Sequence, residues 1–427
     1  MNLLREAKYA LKMSVDCRLA TPLLLRSGLT GDITDSSIEK TPDDTLHVNG
    51  YVWAGLLRRS LDRLPEGKEF ASLIGKYRDE GGVSPLWCEA TFATLHATAV
   101  NPGIAIDRKW GAAKSGALFS DELAIAGLPL TLRFTLFAVD REEAEERREL
   151  LLKALNVVND GIENIGGGWT YGYGRLAVEQ IETVGINFTE SSDRKLLWQW
   201  DGLPWEKQSL VPSDSSATVI TVTARVAPGQ LLAVKSGVFP MDAPQFGKLP
   251  DTFVFRRNRL VDGKSLQEPV IPGKALRQAL FSVPLERKWR SQGERACSPH
   301  TDKNECSCKR CRWFGSTNAA GIIAVTDAPV QQAATEVINR VQLCEHSMQN
   351  MNLFSGEYLT AGEFRFKIII DNSRVSDAPD LVTEISELLE EMKGKNAPPG
   401  WYRLGGTATC TGQVEVVEYA VTRSALS

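Results

Sequence analysis

The sequence predicts an α+β protein in which one unit, an antiparallel sheet with helices on one face, occurs twice in tandem. Three observations lead to this prediction. Two apolar strand-like segments, KYALKMSVDCRLA near the N-terminus and ATVITVTARVAPG near the middle, are similar. Each is followed by a loop and then by a glycine that begins an amphipathic segment. Each half later contains the letters LFS, a strand, an acidic segment and a glycine turn, and this repeated order indicates a duplication.

The elements of each unit follow in the same order. After the first strand comes a helix that begins at Gly50 in the first half and at Gly273 in the second, and apolar residues recur along both at helical spacing. A hairpin, a second alternating strand, an acidic helix and a final strand complete each unit. This order is that of a ferredoxin-like βαββαβ unit, so we predict two tandem ferredoxin-like domains.

The two units meet at a tryptophan-rich segment. We predict a first domain over residues 1–190, a linker over 191–217 and a second domain over 218–427. The segment around the linker is rich in polar residues, proline and tryptophan. Its three tryptophans predict a linker that packs on a surface.

Composition and charge exclude few classes of protein. Of the 427 residues, 43% are hydrophobic and 24% are charged, and no apolar run approaches the roughly 20 residues of a membrane helix. The opening MNLLREAKYALKM has charges where a signal peptide has its apolar core, so we expect a cytoplasmic protein with no membrane partner and with reduced thiols. The net charge of −4 does not decide whether nucleic acid binds, because local patches set the field that a ligand meets.

Half of the eight cysteines lie within fifteen positions, in the segment CSPHTDKNECSCKRC. Clustered cytosolic thiols indicate a metal site more than disulfides, and zinc prefers four tetrahedral nitrogen or sulfur ligands. We predict a structural zinc in an insertion over about 291–316, which has no core of its own. The predicted ligands are Cys297, Cys306, Cys308 and Cys311, with His300 as a competing ligand. A redox role and surface thiols without a role are the alternatives.

Four segments carry a resemblance to a known family. They are PVIPGKALRQAL (269–280), CRWFGS followed by GIIAVTDA (311–328), AIDRKWGAAKSGALFSDELAIAG (105–127) and IGGGWTYGYGRLAV (165–178). With these segments the chain resembles the RAMP superfamily, in particular the backbone subunits of type III CRISPR effector complexes. The resemblance covers about residues 8–185 and 218–420, so the chain looks like two backbone units fused in one polypeptide.

The resemblance implies a function and a set of partners. Such subunits line up along a guide RNA, hold its backbone and assemble with other subunits of the complex. A protruding hairpin, the thumb, interrupts pairing between the guide and a single-stranded target RNA at regular intervals. We expect thumbs at residues 98–120 and 338–357.

The resemblance also implies that a loop aspartate in each half cleaves target RNA with a divalent metal, magnesium or manganese. Asp35 and Asp251 occupy the matching positions, although Asp35 precedes Gly50 by 15 positions and Asp251 precedes Gly273 by 22. A carboxylate can hold such a cation if the RNA supplies further ligands. From the residues alone, a loop aspartate is more often a turn or capping residue. Nearby rivals are Asp32, Asp43 and Asp44.

Glycines, aromatics and cations at two kinds of turn are the predicted RNA contacts. Glycine turns let a backbone approach a phosphate, aromatic rings stack on bases, and helix N-termini suit a phosphate. The alternatives are plain turn geometry and solvated helix faces. The second glycine turn lacks the aromatics and the arginine of the first. The predicted RNA-binding residues are Gly50, Arg58, Arg59, Gly166, Gly167, Gly168, Tyr171, Arg175, Gly273, Lys274, Arg277, Gly405 and Gly406.

Three other functions stay open at this point. The chain could be a scaffold of the same complex in which one or both aspartates are silent. It could be a guide-processing endonuclease of the same superfamily, with His47 as an acid–base residue. It could also be an unrelated zinc-stabilised RNA-binding protein.

Overall fold

Each half of the chain builds an antiparallel sheet around its first long apolar strand. The computed structural model of the chain describes residues 6–30, 34–75, 83–107, 112–236, 250–296, 306–316, 319–344, 348–393, 402–405 and 411–423. Structural statements below refer to these residues.

The first sheet has the strand order β3-β7-β1-β8-β9, with every neighbouring pair antiparallel. Two further two-stranded ribbons, β2 with β4 and β5 with β6, lie outside it. The strands of this half are β1 Tyr9–Leu19, β2 Thr45–Val48, β3 Leu86–Cys88, β4 Thr91–Thr94, β5 Thr98–Asp107, β6 Ala112–Ala124, β7 Pro129–Ala138, β8 Leu176–Asn187 and β9 Glu206–Gln208.

Helices cover one face of this sheet. They are α1 Gly50–Asp62, α2 Lys68–Leu73 and α3 Arg141–Asn159. The Asp140 carboxylate caps α3 by accepting a hydrogen bond from the Glu143 N–H at 2.9 Å, as an N-cap aspartate does. Trp53 and Leu57 of α1 and Leu155 of α3 are fully buried in the core of this half. The apolar helical spacing of the sequence therefore marks the faces that cover the sheet.

The second sheet repeats this arrangement. In it β15, β17, β10 and β18 take the places of β3, β7, β1 and β8, and β13, β14 and β16 extend it beyond β17. The strands of this half are β10 Ala217–Val226, β11 Lys235–Ser236, β12 Phe253–Val254, β13 Arg256–Val261, β14 Lys264–Ile271, β15 Ile323–Val325, β16 Ala328–Leu343, β17 Asn350–Asp371 and β18 Val414–Arg423. The shared strand order is ferredoxin-like and confirms the predicted fold.

The duplication extends to an irregularity in the sheet. The register of β1 against β8 shifts between Asp16 and Cys17, and that of β10 against β18 shifts between Thr223 and Ala224. The two bulges lie at matching positions of the two central strands. A β-bulge bends a strand and raises its twist, so both sheets have the same local curvature at this point.

The helices of the second half are α4 Gly273–Leu276, α5 Val283–Ser291, α6 Lys309–Phe314 and α7 Ala378–Glu391. A π-helical segment, Arg277–Ser282, joins α4 to α5. The rings of Trp289 in α5 and Trp313 in α6 meet edge to face at 5.4 Å between centroids. The end of the cysteine-rich insertion is thus anchored in the core of this half.

The hairpin β13–β14 joins the two halves. Its Leu260 N–H donates to the Ala126 carbonyl at 2.8 Å, and Arg257 donates to the Tyr173 hydroxyl at 3.0 Å. This hairpin also accounts for the longer loop of the second half. At the matching place the first half makes a short turn, closed by a β-bridge between Lys40 and Leu46. The second half has the longer β13–β14 hairpin there, and this hairpin contacts the first half.

The tryptophan-rich segment packs on the open face of the first sheet. Lys12, in the middle of β1, is fully buried and donates to the carbonyls of Leu197 at 2.9 Å and of Gln199. Its ammonium also lies 4.1 Å from the ring centroid of Trp200, which stacks on Trp205. Burial lowers the pKa of Lys12. The domain boundaries at 190 and 217 remain predictions.

Candidate nucleic-acid interface

Asp35 is exposed and is held by a serine at the base of the first thumb, the β5–β6 hairpin. Its Oδ2 atom accepts hydrogen bonds from the Ser120 N–H at 2.7 Å and from the Ser120 hydroxyl at 3.1 Å. The Asp35 N–H in turn donates to Ser120 Oγ at 3.2 Å. Ser120 is the serine of the first LFS triplet. The loop and the thumb are therefore joined through this carboxylate.

Asp251 makes the same contacts in the second half. Its Oδ2 atom accepts from the Ser355 N–H at 2.6 Å and from the Ser355 hydroxyl at 3.3 Å. Its own N–H donates to Ser355 Oγ at 3.3 Å. Ser355 is the serine of the second LFS triplet and lies in the second thumb, the β16–β17 hairpin. The structure thus brings the two predicted aspartates into equivalent positions, and their catalytic role stays a prediction.

A glutamate supports each aspartate–serine pair. Glu122 accepts a hydrogen bond from the Ile38 N–H at 3.1 Å, and Glu357 accepts one from the Val254 N–H at 3.0 Å. Burial alone would raise the pKa of Glu357, but the hydrogen bonds from Arg256 and from the Val254 N–H outweigh burial and lower it. Arg256 donates to Glu357 at 2.7 Å. Two carboxylates per half thus tie the aspartate loop to the thumb.

Two of the rival aspartates are turn residues. Asp43 accepts hydrogen bonds from the hydroxyls of Thr41 and Thr45, and the Thr41 hydroxyl is the main cause of its lowered pKa. Asp44 has a φ of +59° and pairs with Lys40 at 2.8 Å. Both stabilise the turn before β2. The third rival, Asp32, lies outside the described residues.

A cleft of about 480 Å³ opens beside the first thumb, between the two halves. Phe119 and Asp121 of β6 line one side, Trp169 and Tyr171 line another, and Arg374 comes from the second half. Arg26 also lines it, and pairs with Asp121 at 3.1 Å. Exposed arginines beside aromatic rings are the combination that single-stranded nucleic acid binds, through phosphates and stacked bases.

The first glycine turn forms one wall of this cleft. Gly168 and Tyr171, two of the predicted RNA-binding residues, lie in this wall, and Tyr171 is 39% exposed. Gly166 and Gly167 precede these residues and are not part of the lining, and the Gly167 N–H donates to the Leu24 carbonyl at 2.7 Å. The second turn repeats this packing at Gly405, against the Ala233 carbonyl, and Gly406 lies outside the described residues.

Arg175 does not lie where RNA could reach it. The side chain is buried and donates to the carbonyls of Ile162 at 2.9 Å and Trp169 at 3.2 Å. It holds the glycine turn from inside, so the predicted phosphate contact does not fit. The neighbouring Tyr173 is also buried, and burial raises its pKa to about 12. The alternation of aromatics and glycines did not reveal that the turn is covered by the second half.

The glycines at the helix N-termini serve close packing. A Cβ on Gly50 would lie 2.1 Å from the Cys88 carbonyl oxygen, and one on Gly273 would lie 2.0 Å from that of Val325. The Gly273 N–H already donates to the Asp327 carboxylate at 2.7 Å. Both glycines are needed where the helix meets the adjacent strand. This packing does not expose a phosphate site at Gly273.

The predicted cations near these helices differ in their surroundings. Arg277 donates to the carbonyls of Phe314 and, at 3.2 Å, of Ile323, so it holds the return from the insertion. Lys274 donates to the Pro102 carbonyl at 3.1 Å, at the base of the first thumb, and burial lowers its pKa. Arg59 pairs with Glu163 at 3.1 Å. Arg58 is exposed and lines a cleft of about 350 Å³ with Arg59 and Lys68.

Three of the predicted metal ligands converge. The Sγ atoms of Cys306, Cys308 and Cys311 lie within 4.8 Å of one another. Cys308 is the N-cap residue of α6, and Cys311 is buried in that helix. These three convergent thiols would supply three of the four ligands of a structural zinc site. The other candidates, Cys297 and His300, lie outside the described residues.

His47 lies on β2 beside one glutamate and one aromatic ring. Its ring stacks on Phe92 at 4.9 Å between centroids, and its Nδ1 atom lies 3.6 Å from Glu39. Among the described residues, the cysteine triplet is the single cluster of three histidine, cysteine or acidic side chains with convergent ligand atoms. The proposal of an acid–base histidine therefore gains no support here.

Several residues of the interface were not predicted. The sequence marks Ser120 and Ser355 only as part of a repeated LFS triplet, and it does not distinguish Arg26 and Arg374 from other arginines. The recurrence of LFS in both halves was a usable signal. No sequence signal pointed to Arg374, because it reaches the cleft only through contact between the halves.

Comparison with known protein families gives a match over both halves of the chain. Residues 16–177 and 235–407 each match the RAMP superfamily. No curated protein is similar to the chain. None of the helices in the described part of the chain has the length and apolar character needed to cross a membrane.

Proposed function

The chain belongs to the RAMP superfamily, a family of CRISPR-associated RNA-binding proteins, and from that premise we propose a specific role for it. It is a guide-RNA-binding backbone subunit of a type III-like effector complex, and it cleaves complementary target RNA with Asp35 and Asp251. One observation carries this proposal. Two exposed carboxylates, one per half, have the same hydrogen bonds to a thumb serine.

One oxygen of each carboxylate accepts no hydrogen bond from the described residues. Among the described residues, Oδ2 of each aspartate accepts the hydrogen bonds and Oδ1 accepts none. A carboxylate oxygen is the type of ligand that magnesium or manganese prefers, and such an ion would supply positive charge to the developing phosphorane. Because no acidic cluster converges with Asp35 or Asp251 in the described structure, RNA oxygens would have to complete the coordination.

The cleft between the halves supports the RNA-binding part of the proposal. Phe119 lies in the cleft, and Ser120, the next residue, binds Asp35. A base stacked on Tyr171, with phosphates against Arg26 and Arg374, would place the RNA beside the Asp35 carboxylate. Sequence would then be read by base pairing with the guide and not by this chain.

The test is target-RNA cleavage by the assembled complex with magnesium, comparing wild type with Asp35→Ala, Asp35→Asn and Asp251→Ala. We expect each alanine variant to lose one distinct cut by at least about 100-fold while target binding is kept. Asp35→Asn keeps a hydrogen-bond acceptor for Ser120 but lacks the negative charge that would hold the cation. It should therefore lose the same cut. An unchanged cut pattern in all three variants would contradict the catalytic assignment.

The same hydrogen bonds favour one second function, a non-catalytic scaffold. A carboxylate that ties a loop to a hairpin has a structural use without any chemistry. In that case Asp35→Asn would cut like wild type, while Asp35→Ala would weaken thumb placement and target binding. The asparagine variant therefore separates the two functions.

A further inference from the structure

We infer that Ser120 and Ser355 are positioning residues for the two carboxylates. Each serine holds the Oδ2 atom of its aspartate and leaves the Oδ1 atom without a hydrogen bond from the described residues. This inference rests on the proposed function, because it assigns a role within the Asp35 and Asp251 sites. In this role each serine acts through its aspartate.

The hydrogen-bond geometry defines the direction of each serine hydroxyl. Ser120 Oγ accepts from the Asp35 N–H at 3.2 Å, so its own proton is available to donate to Asp35 Oδ2 at 3.1 Å. The Ser120 N–H donates to the same oxygen at 2.7 Å. Two donors on one oxygen restrict rotation of the carboxylate, which a loop aspartate would otherwise sample freely.

The second half repeats each of these three hydrogen bonds. Asp251 Oδ2 accepts from the Ser355 N–H and hydroxyl, and the Asp251 N–H donates to Ser355 Oγ. The two loops differ in length before the following helix, and the residue after the serine is Asp121 in one half and Gly356 in the other. The aspartate–serine geometry is thus retained where its surroundings differ.

The serines couple the carboxylates to the thumbs. Ser120 pairs with Pro102 across the first thumb, and Ser355 pairs with Asn339 across the second. The position of each carboxylate is therefore set by the hairpin as well as by its own loop. A misplacement of about 1 Å at a reacting group can lower a rate by roughly 100-fold, so this coupling matters for cleavage.

The experiment compares Ser120→Ala and Ser120→Thr in the assembled complex, over a range of magnesium concentrations. Ser120→Ala removes the hydroxyl and keeps the N–H donor. We therefore expect the cut that depends on Asp35 to slow by about tenfold and to need a higher magnesium concentration. Ser120→Thr keeps the hydroxyl and should cut within about twofold of wild type. The cut that depends on Asp251 serves as the internal control and should be unchanged. Ser355→Ala should give the converse pattern.

Two readouts distinguish positioning from a purely structural role. Positioning changes the rate and the magnesium requirement of one cut with unchanged target affinity, whereas a loosened thumb lowers target affinity or alters both cuts. If Asp35→Ala abolishes its cut and Ser120→Ala retains the wild-type rate and magnesium dependence, the inference about serine is wrong and the proposed function stands. If Asp35→Ala retains its cut, the proposed function and the serine role are both refuted.

Discussion

At the scale of single residues, Tyr171 is the aromatic side chain best placed to meet a base. Its ring lines the cleft, is exposed over 39% of its surface and meets Tyr173 edge-on at 6.0 Å between centroids. Trp169 is partly covered, with its indole N–H bonded to the Ile162 carbonyl at 2.9 Å. One ring thus remains accessible while its neighbours hold the turn in shape.

We predict that Tyr171→Ala weakens binding of guide RNA by about tenfold, since stacking on one aromatic ring contributes about 1–3 kcal/mol. Tyr171→Phe keeps the ring and should bind within about twofold of wild type. Trp198→Ala is the matched control, because Trp198 is 82% exposed and is not part of the cleft. The measurement is a titration of labelled guide RNA. Equal affinities of Tyr171→Ala and Trp198→Ala for guide RNA would show that Tyr171 is not part of the interface.

At the scale of elements, the cysteine-rich insertion ends in a helix that belongs to the core. Trp313 and Phe314 of α6 are buried, so this helix is part of the core of the second half. Lys309 of the same helix lies 3.1 Å from Glu294 and 3.3 Å from Glu384, which adds ion pairs to neighbouring elements. Metal binding at Cys308 and Cys311 would therefore stabilise more than the insertion itself.

We predict that the purified chain contains one zinc ion and that Cys308→Ser loses it. Because metal binding energy serves as folding energy, we expect a lower Tm by several degrees. Cys344→Ser, a cysteine outside the cluster, is the control and should keep both the zinc content and the Tm. The measurements are elemental analysis and thermal unfolding. Full zinc content in Cys308→Ser would show that this thiol is not a ligand.

At the scale of the whole molecule, contacts between the halves build part of the interface. Arg63 of the first half is buried and pairs with Glu163 at 2.6 Å and with Asp371 of the second half. Arg374 also pairs with Asp371, at 2.8 Å, and from there lines the RNA cleft. Removal of one partner from such a buried network costs about 3–5 kcal/mol, so the relative position of the halves is strongly maintained.

We predict that Gly127→Ala loosens this contact. A Cβ on Gly127 would lie 2.1 Å from the Leu260 carbonyl oxygen, and its φ of +89° disfavours any side chain. Gly229→Ala is the matched control, because Gly229 has a φ of +73° with no atom within 4 Å of the added Cβ. The control should lose about 1 kcal/mol of unfolding free energy, and Gly127→Ala about 1–3 kcal/mol more.

Denaturant unfolding and limited proteolysis of the β13–β14 hairpin check this prediction. The hairpin should be cleaved faster in Gly127→Ala than in Gly229→Ala, because only the first substitution pushes Leu260 away. Equal stability and equal proteolysis in the two variants would mean that Leu260 can move away from the added Cβ with no loss of unfolding free energy.

Local patterns were enough to predict the fold and the pairing of sites. Apolar periodicity, the glycines before α1 and α4 and the recurring LFS triplets indicated two ferredoxin-like units in the same order. The resemblance to the RAMP superfamily implied equivalent positions for Asp35 and Asp251. The cysteine spacing indicated a metal cluster of which three members converge. These features depend on residues that are close in the chain, so the sequence shows them directly.

Only the tertiary structure decided which side chains remain accessible. Tyr173 is buried against Arg257 of the second half, Arg175 is enclosed by the carbonyls of Ile162 and Trp169, and Arg374 reaches the cleft from the second half. Ser120 meets Asp35 across 85 positions, and Ser355 meets Asp251 across 104. The sequence determined the two repeated units and their aspartates. The folded chain alone decided what holds and surrounds them, because burial and long-range hydrogen bonds depend on how distant segments pack.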